Sequence, residues 1–184
     1  MGCWHIHGLK RMGFPYSTDT LDPLKLEPFT HGTAVKAYLI ELSTFQQQPL
    51  LGSYDQGKLC LNDCGLIVAG EWVRSATKRS GIDLDLWNIT PTSLKSIVFL
   101  QVETPFNTQV PGPLESQKPW LLSSFVTSFK AAAAKRINLC RNQLGQSVWQ
   151  SSYDELLIDD PRQLSTIRNQ LQEQPINESP SPPA

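Results

Sequence analysis

Two apolar runs of strand length, Ile82–Ile89 and Leu94–Glu103, are joined only by Thr90-Pro91-Thr92-Ser93. So short a connection makes a hairpin, and hairpins rather than regular strand–helix alternation argue for an antiparallel sheet. Pro91 has no N–H to give a ladder, so it suits the corner and would be unwelcome inside a central strand. The other elements must fit around this pair. Ala34–Thr44 is a further strand-length run with aromatic and β-branched content, and Lys58–Leu61 is a short strand after a Gly-containing turn. Asn62 reads as the cap of a helix over 62–78 carrying Ile67, Val68, Trp72 and Val73, ended by Lys78-Arg79 and Gly81.

Pro105, Pro111, Pro113 and Pro119 make 104–119 a loop. Beyond it lies the clearest helix, from Trp120 to about Asn142, where Leu121, Phe125, Phe129, Ala132 and Ile137 trace one apolar stripe. Asp160 as cap and Pro161 as first helical residue open a last helix that runs to about Glu173. The order is α+β around one largely antiparallel sheet, a single domain over 34–174. Residues 1–33 read as an irregular arm and 175–184, rich in Pro and Ser, as a disordered tail.

Charge is the next constraint. Sixteen Lys and Arg against 17 Asp and Glu give a net charge of −1, which excludes a uniformly basic coat and a polybasic membrane anchor. The near-neutral sum hides two opposed segments. Ser116–Tyr153 holds Lys118, Lys130, Lys135, Arg136 and Arg141 and no acid, while Asp154–Glu178 holds six acids and two bases. A cationic helix beside Trp120 and Trp149 suits phosphates and stacked, unpaired bases. Charge alone favours a second arrangement, a solvated helix face paired with the acidic segment.

No window approaches 18 consecutive apolar residues, and the N-terminus lacks the apolar run of a signal peptide, so the expectation is a cytoplasmic protein with no membrane partner. Cys3, Cys60, Cys64 and Cys140 contain no CxxC pair and read as reduced thiols. The histidines His5, His7 and His31 do not complete a zinc site with them.

Several blocks in order resemble the REP-associated branch of the single-tyrosine HUH transposases, which nick and rejoin single-stranded DNA. These are Tyr38-Leu39-Ile40 with Leu51-Gly52, Gly57–Asn62 with Gly65–Val68, the stretch Ile82–Val98, and Ser128-Phe129-Lys130 with Lys135–Asn138. Val148-Trp149-Gln150-x-x-Tyr153 follows the family's tyrosine motif, and Ile167-Arg168 with Pro175 its closing helix. The resemblance covers about Ala34 to Pro175 and implies a ferredoxin-like antiparallel sheet with helices on one face.

In that family a His-hydrophobe-His pair on a strand holds Mg or Mn, which polarises the scissile phosphate for attack by the tyrosine. Here the paired positions are Ser93 and Lys95, preceded by Thr90 and Thr92 where the family writes Met and Asn. The family's further ligand falls at Leu156 or Leu157, which have no ligating atom. His5-Ile6-His7 matches the pattern literally but lies in the arm, before the first strand.

The resemblance therefore implies a transposase-like protein without a metal cofactor, with Tyr153 at a vestigial nucleophile position. It would bind single-stranded or hairpin DNA through Lys95, Lys130, Lys135, Arg136, Arg141 and Trp149, with a homodimer as the family's common assembly. Two other readings stay open. One is a protein-interaction scaffold on the same fold without nucleic acid, and the other a DNA strand-transferase working through Tyr153 by non-standard chemistry.

Overall fold

The computed structural model describes residues 33–103 and 120–172. The expected arm, the 104–119 loop, the tail, Cys3 and all three histidines lie outside them. Strand β1 (Thr33–Ser43) is followed by the hairpin β2 (Gly52–Asp55) and β3 (Lys58–Leu61), then helix α1 (Asp63–Thr77). Strands β4 (Ile82–Ile89) and β5 (Ser93–Glu103) come next, then α2 (Trp120–Cys140), β6 (Asp154–Ile158) and α3 (Pro161–Gln172). One four-stranded sheet runs β4-β5-β1-β6, antiparallel throughout, and β2-β3 stands as a separate pair.

The α+β architecture with an antiparallel sheet is the one expected, and the β4–β5 hairpin turns at Thr90–Thr92. There the Thr90 hydroxyl oxygen accepts from the backbone N–H of Ser93 at 2.9 Å and of Thr92 at 3.3 Å. That local bonding is why Thr suits this corner. The β2–β3 turn carries φ of 50° at Gln56 and 75° at Gly57, the doubly left-handed turn whose twist matches a tight hairpin.

Asn62 caps α1 as expected, its side-chain oxygen accepting from Gly65 N–H at 3.0 Å. Gly65 itself is required by close approach, because a Cβ there would lie 2.2 Å from the Leu51 carbonyl oxygen. This seats the first turn of α1 directly on the backbone leading into β2.

The sheet has two covered faces. Tyr38, Ile40 and Leu42 of β1 join Leu94, Val98 and Leu100 of β5 in a core with α1 and α2, centred on Trp72, Phe125 and Phe129. Trp72 is fully buried, its ring 4.9 Å from Phe125 and 4.8 Å from Phe129, and its indole N–H donates to Ser96 Oγ at 3.3 Å. Ala37, Ile97 and Ile158 face the other way and pack on Leu164, Ile167 and Leu171 of α3. The arrangement thus differs from helices on one face only: α3 lies opposite α1 and α2. Its three-and-four-spaced stripe finds a second apolar surface in the alternate residues of the same strands.

Two strands arise where the sequence suggested none, β2 and β6. Cys64 and Cys140 are free thiols, whereas Cys60 is disulfide-bonded, a correction to the expectation of reduced cysteines. No described helix is long and apolar enough to cross a membrane.

Candidate functional site

Lys95 stands on the α3 side of the sheet, in step with Ile97 along β5, and its cross-strand neighbour on β1 is Glu41. Its ammonium lies 3.2 Å from the Glu41 carboxylate. Ser93 is buried, with its hydroxyl 3.0 Å from that of Thr90. A divalent ion does not fit this pair, since one side chain is a cation already matched by a carboxylate and the other is held within the turn. Among the described residues no three His, Cys, Asp or Glu side chains gather as a metal site. Leu156 and Leu157 are exposed on β6 and offer only carbon.

Tyr153, immediately before β6, packs against the α1/α2 core, on the opposite side of the sheet from Lys95. The structure therefore does not bring together the expected nucleophile and the expected metal positions. The helix over the Lys95 face is α3, which turns Leu164, Ile167 and Leu171 inward, none with a nucleophilic atom. Beside them Arg168 Nε donates to the buried Asp85 carboxylate at 2.6 Å, tying α3 to β4.

The expected nucleic-acid residues divide into two groups. Lys130 is spent inside the fold, donating to the carbonyls of Gln150 at 2.5 Å, Ser151 at 3.0 Å and Ser152 at 3.3 Å. Burial pushes its pKa below the ordinary lysine value. Trp149 is a core residue rather than a stacking platform. Its ring sits 5.7 Å from Phe129, and its backbone bridges Thr44. Arg136 pairs with the buried carboxylate of Glu71 on α1 while remaining partly exposed. Lys135 is exposed and makes no hydrogen bond or ion pair among the described residues, and Arg141 is half-buried near Cys64.

Packing of α1 on α2 adds cations that the sequence reading passed over. Arg74 Nε lies 3.6 Å from the same Glu71 carboxylate. Arg79 donates to the Ser124 and Ser128 hydroxyls at 2.9 and 2.7 Å and to the Ser124 carbonyl at 3.3 Å. Lys78 is exposed beside it. The spacing Arg74-x3-Lys78-Arg79 on the last turns of a helix was the available signal, since residues four apart share a face.

No family model matches the chain, and no curated protein matches it. Solved structures similar to the chain include two transposases. A "putative transposase" from Deinococcus radiodurans R1 aligns at 16% identity and TM-score 0.47, over 79% of this chain and 95% of that one. A REP-associated tyrosine transposase bound to a REP hairpin aligns at 11% identity and TM-score 0.42, over 79% of this chain and 66% of that one.

Proposed function

We propose that this chain is a transposase-like protein that binds single-stranded or hairpin DNA and carries out no metal-dependent strand transfer. The observation that carries the binding half is the convergence of Arg74, Lys78, Arg79 and Arg136 where α1 packs on α2, with Lys135 exposed next to Arg136 in the chain. α2 carries no acid, and of the two on α1, Asp63 lies in the first turn, away from the cations of its last turns, and Glu71 is buried between two arginines. A phosphate backbone is the natural complement of such a face, because neutralising it releases bound counterions.

The half of the reading that denies catalysis is supported by the chemistry of Ser93 and Lys95 and by the sheet that stands between them and Tyr153. A tyrosine hydroxyl with no electrophile beside its target phosphate and no base to activate it is a weak nucleophile. The test is a gel shift with a DNA hairpin bearing a single-stranded flank, at low salt. Binding should weaken about tenfold in Lys135→Glu and fall steeply as salt rises. With magnesium or manganese present, no covalent adduct should form. Absence of binding at low salt would sink the first half, and an adduct lost in Tyr153→Phe would sink the second.

The scaffold reading draws on a specific observation too. Lys130 and Trp149 serve the fold, and Lys95 and Arg136 have intramolecular partners. A single stoichiometric protein partner recovered without nucleic acid decides in its favour.

A further inference from the structure

Between the C-terminal half of α1 and the middle of α2 runs a groove of about 430 Å³, lined by Glu71, Arg74, Ser75, Lys78 and Arg79 from the α1 side and Ser128 and Ala132 from α2. We infer that this groove seats a phosphate group, and, resting on the DNA-binding reading above, that the group belongs to a nucleic-acid backbone. Three features carry the inference. The lining holds three cations against one carboxylate, and that carboxylate is already taken by Arg136 from outside the lining and by Arg74.

The second feature is that the deepest cation is preorganised. Two nitrogens of the Arg79 guanidinium are held by Ser124 and Ser128, so its plane is fixed before any ligand arrives. A guanidinium ordered in advance loses less entropy on meeting an oxyanion. Ser128 accepts from Arg79, which leaves its own hydroxyl proton to donate to an anion. Ser124 is different, because its hydroxyl proton already goes to the Leu121 carbonyl at 3.2 Å.

The third feature is room. Ala132 and Ser75 are small, and they keep open a space that a longer residue would fill, while Arg74, its Nε paired with Glu71, and Lys78 stand exposed beside it. The seat lies on neither Ser93, Lys95 nor Tyr153, so it is separate from the positions that the resemblance marks for chemistry.

The test has two arms and one double variant, Arg74→Gln with Lys78→Gln. Both side chains are exposed, so the fold should survive, checked by an unchanged melting curve. In the first arm inorganic phosphate is titrated into the labelled full chain and amide resonances are followed. Saturable shifts centred on Ser75, Arg79 and Ser128, lost in the double variant, are expected. Their absence from the wild type overturns the seat. In the second arm hairpin DNA affinity is measured against salt. The double variant should bind about tenfold more weakly at low salt, and its log–log salt slope should be shallower by roughly 1.4 to 1.8, as two lost phosphate contacts require. Lys58→Gln, an exposed lysine on β3, should change neither. An unchanged slope in the double variant overturns the backbone as the source of the phosphate. Wild-type protein that shows the phosphate shifts and ignores DNA defeats the DNA-binding reading and keeps the seat.

Discussion

The two faces of one sheet have been put to different uses. On the α1/α2 face an aromatic cluster built on Trp72, Phe125, Phe129 and Trp149 fills a large core, and cations crown the helices outside it. On the α3 face a core of Ala37, Ile97, Ile158, Leu164, Ile167 and Leu171 is held beside the Lys95–Glu41 and Arg168–Asp85 pairs. Strand alternation supplies both from the same residues run, even positions of β1 to one and odd positions to the other. The lesson is that the cation-bearing helices and the face that holds Lys95 can be built independently, because a sheet separates them.

The largest effect should come from the aromatic core. Trp72→Ala removes a fully buried ring and should cost about 3–5 kcal/mol in denaturant unfolding. A loss under ~1 kcal/mol would mean that this face does not dominate stability. Ile167→Ala on the other face should cost less, about 2–3 kcal/mol. It should also free α3 selectively, seen as faster amide exchange in 161–172 than in α2. Uniform exchange across both helices would join the two faces into one cooperative unit.

Lys130→Met separates structure from binding on the α2 face. Loss of three carbonyl contacts should destabilise by about 1–2 kcal/mol while leaving the DNA salt slope unchanged. A shallower slope would return Lys130 to the phosphate-binding set. A subtler contrast lies in the thiols: burial, then Cys140, holds the Cys64 pKa above the usual thiol value, so less thiolate exists at pH 8. Iodoacetamide should therefore modify exposed Cys140 about tenfold faster or more. The smallest expected effect is zero. Ser93→His with Lys95→His, given manganese, should yield no DNA adduct on Tyr153, because the sheet still separates them.

The elements legible in the sequence are those whose side-chain pattern records a buried face. β1, β4, β5 and all three helices fall within a residue or two of the expected bounds, since each has apolar residues at period two or three to four. β2 and β6 leave no such record. They are short, one side is mostly solvent, and β6 buries only Ile158. β6 joins the four-stranded sheet, and β2 pairs with β3 apart from it, through backbone bonds that any residue can make. The site shows the same division. The cations of α2 were visible as charges, but nothing local to Lys130 or Trp149 announces that 150–152 folds back onto one and the main core onto the other. Arg74, Lys78 and Arg79 were equally visible, and became a site only when α1 lay against α2.

The order β4-β5-β1-β6 also sets a timetable. β1 comes first along the described chain, yet both of its neighbours come later, and Ala37 must wait for Ile158, more than a hundred positions downstream. On a ribosome, the strand at the middle of the sheet would emerge with two open edges and acquire its second partner only near the end of synthesis. Pairing over such a separation is slow, and an open edge invites the wrong strand. A chain cut short after α2 would carry that vulnerability permanently, so loss of β6 should show first as aggregation during expression.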